Sequence, residues 1–270
     1  MYHRPIFAFG NRVSSYAARA LKILILDDAL RPQAITAGVP AVVCSTIKQW
    51  EDEVLCLREL LGALQTLCWD KSCIKGVLQA EIIPSLIDFV QASDQEVSVL
   101  ALATLANILT FSDTLLLTDS PNLEALSSGM PVILESLRIS QQRPQRFYAA
   151  AAVANASSHP RLAGILKQNG ALSLVREVER QSLANIHILG SKLGDCAQTA
   201  VYRLSDHKEG DVKMGMVKYS FKWGTRPIME LSLAAYGKHS NAIWGCFIVW
   251  LLIMLFTFFP LVSAVGVYSL

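Results

Sequence analysis

The sequence predicts an all-α protein: a solenoid of stacked helical repeats followed by a single transmembrane helix at the C-terminal end. Three observations predict it. Apolar residues recur at three- and four-residue spacing from Ser14 to about Asp206. Two independent residue patterns repeat along that stretch with a period in the forties, the range of two- and three-helix repeats. Finally, Ala242 to Leu270 contains no Asp, Glu, Lys, Arg or His.

Composition fits this reading. The chain has 270 residues, enough to bury a full core, and is 52% hydrophobic. Only 17% of residues are charged, low against the usual quarter or so. A net charge of +2 without a Lys/Arg run argues against nucleic acid as the partner. The N-terminus lacks a continuous apolar stretch and a small-residue cleavage site, so no signal peptide is expected.

The repeat is clearest from Gln79 to Leu109. Ile83, Leu86, Ile87 and Val90 mark one buried helical face, and Pro84 suits that helix's first turn. Ser93 and Glu96 have capping-box spacing and predict a second helix over Val97–Leu109. That helix is apolar nearly all round, so it must be buried on several sides. Related segments are AITAGVPAVVCSTI (Ala34–Ile47), LSSGMPVILESL (Leu126–Leu137) and KQNGALSLVREV (Lys167–Val178). Aligning Gly38, Glu81, Gly129 and Gly170 gives separations of 43, 48 and 41 residues. The Ala/Leu-rich helices supply the second marker. There Ile23, Thr66, Asn107, Asn155 and Arg203 are equivalent, with separations of 43, 41, 48 and 48 residues. Units of this period stack so that each buries a face its neighbour supplies.

Together these segments resemble armadillo repeats, over about Ser14 to Asp206. The resemblance implies a right-handed α-solenoid whose units hold a short first helix, a Gly-containing sharp turn, a second helix and a long third helix. The short helices would be Arg31–Ala37, Ser72–Ala80, Asn122–Ser128 and Arg161–Gln168. Glu81 stands where the turn glycine is expected, and the third-helix Asn is kept only at Asn107 and Asn155. A lone third helix, Ser14–Leu26, opens the array as a cap or a truncated repeat. In peptide-binding arrays such asparagines grip the backbone of an extended peptide, since an amide offers both a donor and an acceptor. The alternative is that each Asn satisfies a neighbouring helix end. Nuclear-import arrays carry a Trp four residues before the Asn. Ala103 and Ala151 hold those positions here, so basic import signals are not expected as ligands.

Residues 1–206 therefore read as the repeat domain, 207–241 as a linker and juxtamembrane segment, and 242–270 as the anchor. From Val212 onward in the linker, Lys213, Lys218, Lys222, Arg226 and Lys238 outnumber the single acid Glu230. That excess places the solenoid in the cytosol. Ile243–Val262 alone supplies the roughly 20 apolar residues a spanning helix needs. Lys218, Phe221, Lys222, Trp223 and Trp244 are candidates for the membrane interface, with the bilayer as the lipid partner. Nothing basic follows the anchor, which favours the endoplasmic reticulum over the mitochondrial outer membrane.

Chemistry is sparsely signalled. HExxH, GxGxxG, P-loop and GxSxG motifs are absent. The five histidines are isolated, and the six cysteines form no CxxC and read as core residues in a reducing compartment. No cofactor, metal or catalytic residue is expected. Candidate partner-binding residues are Asn107, Asn155 and Arg203 on the third helices, with Arg143 and Arg146 ahead of Phe147 and Tyr148. Arginines at that helix start oppose the dipole, where other units have Glu51-Asp52-Glu53 or Asp94-Gln95-Glu96. The expected function is a membrane-anchored scaffold or adaptor for protein partners. The alternative is a structural subunit of a membrane complex; an enzyme is remote.

Overall fold

In the computed structural model, residues 4–111, 121–140, 143–183 and 188–205 are described. All the secondary structure among them is helical: α1 (Arg4–Leu24), α2 (Leu30–Thr36), α3 (Val39–Gln49), α4 (Val54–Leu67), α5 (Lys71–Gln79), α6 (Ile83–Val90), α7 (Gln95–Thr110), α8 (Pro121–Ile139), α9 (Arg143–Ala156), α10 (Pro160–Gln168), α11 (Ala171–Leu183) and α12 (Ile188–Leu204). No helix among the described residues is long and apolar enough to cross a membrane. The expected linker, the anchor over 242–270 and all five membrane-interface candidates lie outside the described residues.

The chain divides after Ala63 into two compact units. In the first, α1 to α3 and most of α4 enclose Leu21, Ile25, Val43, Ile47, Leu57 and Leu60, each at most 3% exposed. The Lys22 ammonium pairs with the Glu59 carboxylate, tying α1 to α4. Arg31 Nε donates to Ile25 O at 3.1 Å and fixes the start of α2 against the end of α1.

The second unit runs from Leu64 through α12. Its long helices pack in sequence, α7 on α9 and α9 on α12, while α6 packs on α8. Helix α7 is buried all round, through Val97, Ala101, Leu102, Ala103, Leu105, Ala106, Ile108 and Leu109. That matches its patternless apolar sequence. Pro84 falls in the first turn of α6 as expected.

The repeat register is visible in the backbone. Gly38 and Gly170 turn the chain at φ +81° and +73°, in the left-handed region that glycine enters at no side-chain cost. Glu81, aligned with them, adopts φ +49° and is the one non-glycine residue with positive φ among the described residues. So the turn is kept although the glycine is not.

Gly129 departs from the expectation. It lies inside α8, a single helix that merges the expected short helix Asn122–Ser128 with the next one. Buried Leu123, Leu126, Met130, Ile133 and Leu137 run through that point at unbroken helical spacing, so straightening buries one continuous face. Pro131, which the turn would have placed in a first turn, consequently sits inside the helix. Gly129 answers a different need: a Cβ there would lie 2.4 Å from Ile87 Cδ1 on α6.

The second departure is the cap of α7. Asp94, rather than Ser93, caps the helix, its carboxylate accepting from Val97 N at 3.0 Å. The Asp side chain reaches the third amide of the helix directly, and the helix begins two residues earlier than the capping-box reading gives. Asp70 caps α5 in the same manner, accepting from Ser72 N at 2.9 Å.

Candidate partner-binding surface

Three of the five residues aligned at the third-helix marker make one repeated hydrogen bond. Asn107 Nδ2 donates to Gln65 O at 3.0 Å across 42 residues. Asn155 Nδ2 donates to Ala106 O at 3.0 Å across 49 residues. Arg203 Nη1 donates to Ala154 O at 2.7 Å, again across 49. In every case the acceptor is the carbonyl one residue before the equivalent position of the preceding repeat. A ladder of side-chain donors thus links successive third helices. Arg203 fills the slot with a guanidinium where the other two units use an amide.

The rungs differ in access. Asn155 is 1% exposed, and Nδ2 also donates to Thr110 Oγ1 at 2.9 Å, so both its hydrogens are engaged. Its Oδ1 is buried without a hydrogen-bond partner. Asn107 is part-buried, which leaves its amide with hydrogen-bonding capacity beyond the rung. Asn122 Nδ2 makes a related link one layer away, to Leu78 O at 3.1 Å.

A second polar network occupies the corner where α8 meets α9. Gln145 Nε2 donates to Ser98 Oγ at 2.9 Å, and Ser98 Oγ donates to Val90 O at 2.7 Å. Ser140 Oγ donates to Gln145 Oε1 at 2.7 Å. Beside it, Arg146 Nη2 donates to Gln181 Oε1 at 2.9 Å, and Arg146 Nε is buried without a partner. Arg143 is exposed at the start of α9. Phe147 and Tyr148 are core, at 1% and 2% exposure, and meet edge to face with ring centroids 5.1 Å apart. The structure therefore brings Arg143 and Arg146 to one corner, and places Asn107, Asn155 and Arg203 along the ladder. The pattern in the sequence found the rungs; it did not show Ser98 and Gln145, whose pairing joins positions 47 residues apart.

Cysteines 44, 56, 68, 73 and 196 are buried. Burial pushes the Cys56 thiol up to about 11, with Glu53 and Glu59 adding to it. Burial, then Asp195, likewise raises Cys196. Neither is an activated nucleophile, because the thiolate is the reactive form. Among the described residues no group of His, Cys, Asp and Glu is placed to hold a metal ion.

No family model matches the sequence, and no curated protein matches it. Solved structures do resemble the fold. An engineered protein superposes with a TM-score of 0.59 at 22% identity, covering 76% of this chain and 78% of that one. A computationally designed armadillo repeat protein for modular peptide recognition gives 0.57 at 16% identity, with 71% and 76% covered. A designed armadillo repeat protein in complex with the peptide (KR)4 gives 0.50 at 16% identity, with 71% and 91% covered. At these identities the likeness is one of architecture, and the described helices form an armadillo-like α-solenoid.

Proposed function

We propose that this chain is a non-enzymatic scaffold or adaptor that binds protein partners on its solenoid and is held at a membrane by residues 242–270. The observation that carries the binding half is the ladder of stacked third helices. It holds side chains of successive repeats at a fixed spacing, which is what a modular peptide-binding surface requires. Two of the similar solved structures are designed armadillo proteins, one for modular peptide recognition and one in complex with a (KR)4 peptide. Asn107 and Arg203, both part-buried, are the rungs with access to a partner; Asn155 supports the spacing from within. The membrane half rests on the uncharged stretch Ala242–Leu270 and the basic residues before it. Anchoring would raise the local concentration of partners at one surface, with the endoplasmic reticulum favoured.

Proximity labelling in cells tests this, comparing the full chain with one ending at Asn241. The scaffold reading expects the full chain to label one organelle's cytosolic face and the shortened chain to become diffuse with the same partners. If the shortened chain stays on membranes, 242–270 is not the anchor.

A structural subunit of a membrane complex is the second reading. It is favoured by α1, where Tyr16 and Ile23 are 68% and 41% exposed one heptad apart on one face. Loss of every partner along with the anchor, the remainder being integral membrane proteins, would select it.

A further inference from the structure

Helix α1 carries the third-helix register to the start of the array, with Ile23 at the position of Asn155 and Arg203. Those two side chains point at the preceding third helix, donating to Ala106 O and Ala154 O. The face of α1 that bears Ile23 is therefore one that a third helix covers in the later repeats. Tyr16 shows the difference. Its equivalent, seven residues before Asn155, is also a tyrosine, Tyr148. Tyr148 is 2% exposed and Tyr16 is 68% exposed. Ile23, on the same face, is 41% exposed where Asn155 is 1% exposed.

The other end of the array is α12. Each rung joins a marker residue to the position just before the preceding marker. A further third helix stacked on α12 would thus set its marker against Tyr202. Its residues four and seven earlier would lie against Gln198 and Asp195. In α9 the positions equivalent to Asp195 and Gln198 are Phe147 and Ala150, both apolar and at most 1% exposed. In α12 both are polar and exposed. Helix α1 matches that change. At the level of Gln198 it carries exposed Arg19, where α9 and α12 carry Ala151 and Thr199. At the level of Asp195 it carries Tyr16, whose phenol is a donor. A guanidinium and a phenol at one end thus meet an amide and a carboxylate at the other, level by level. A polar cap made only for solubility needs no matching cation at the opposite end.

We propose that copies of this chain stack head to tail, α1 of one copy lying on α12 of another as a further third helix. Arg19 then pairs with Asp195 and Gln198 across the contact, Tyr16 donates to Asp195, and Ile23 packs on Tyr202. The contact is heterologous, so it adds copies in sequence rather than pairing one face with itself. It goes beyond the protein-binding reading above and does not depend on it.

Sedimentation of the full chain in detergent micelles, over a range of protein concentrations, tests this. The wild type should assemble past the dimer as concentration rises, and less readily as salt is raised. Arg19→Asp and Asp195→Arg should each weaken assembly by about tenfold or more, because each sets like charges together. Mixing the two variants should restore it, since every contact between unlike copies again joins opposite charges. Restoration would also show that both variants fold. A monomer at every concentration overturns the proposal and leaves the α1 face to a different protein. A dimer weakened by Arg19→Asp but indifferent to Asp195→Arg overturns it too, since α1 would then pair with α1. Assembly that ignores both variants belongs to another surface and likewise overturns it.

Discussion

Asn155 shows what one polar side chain can contribute inside an apolar stack. Its amide gives two hydrogen bonds to α7, at Ala106 O and Thr110 Oγ1, while its Oδ1 has no partner. Removing the side chain deletes both bonds but also deletes an unsatisfied buried acceptor, which offsets part of the loss. Asn155→Ala should therefore cost about 1–2 kcal/mol in denaturant unfolding. Asn107→Ala removes one bond from a part-buried site, where water can reach the freed carbonyl, and should cost under about 1 kcal/mol. Equal losses would mean that burial does not set the value of a rung. The Cys56 thiol makes a prediction in pH. Its folded value is raised from 9.0 to about 11, so the native state favours the neutral thiol. That contribution is whole below pH 9.0 and is lost as pH rises towards about 11. Stability should fall across that window, and Cys56→Ala should flatten the fall. An unchanged slope in the variant would assign the alkaline loss elsewhere.

At the scale of elements, the turn and the helix merger have opposite glycine requirements. Glu81 holds a left-handed backbone that costs an L-residue about 1–2 kcal/mol, against glycine's larger entropy loss of roughly 0.5–1 kcal/mol on folding. Glu81→Gly should raise stability by up to about 1 kcal/mol, read as a shift in the denaturant midpoint. A loss would show that the Glu81 side chain makes up for its backbone. Gly129→Ala has no backbone benefit to draw on beyond helix propensity. Its new Cβ would meet Ile87 at Cδ1 and at Cγ1, 2.4 and 2.7 Å away, so α6 and α8 must part or Ile87 must leave its rotamer. Overpacking of this kind costs about 1–3 kcal/mol. Pairing the change with Ile87→Ala should recover part of it, and failure to do so would place the strain in the backbone. These elements also show where sequence reading stops. The alignment found the Glu81 turn because the flanking apolar runs, rather than the glycine, fix the register. It also placed a turn at Gly129, because a glycine two residues before a proline reads alike in a turn and in a helix. Only the continuity from Leu123 to Leu137 distinguishes them.

At the scale of the array, the ladder turns a repeated sequence position into coupling between neighbours. The period located every rung, including Arg203, because stacking demands one register throughout. The direction each rung takes was not legible. An asparagine that grips a ligand and one that grips the next helix have the same sequence, and burial separates them only once the neighbour is in place. The pairing of Gln145 with Ser98 was hidden for the same reason: it joins positions 47 residues apart. Coupling of this sort predicts where a local change is felt. In a repeat array, stability is a sum of unit terms and nearest-neighbour interface terms, so weakening an interface loosens both of its sides. Asn155 belongs to α9 but bonds to α7. Hydrogen exchange of Asn155→Ala should therefore speed in α7 and α9 together, by about tenfold for a loss near 1.4 kcal/mol. Arg176→Ala, on an exposed position of α11, should leave both helices as they were. Faster exchange in α9 alone would mean that the rung stabilises its own helix and transmits nothing, and the units would then be held together by apolar packing without it.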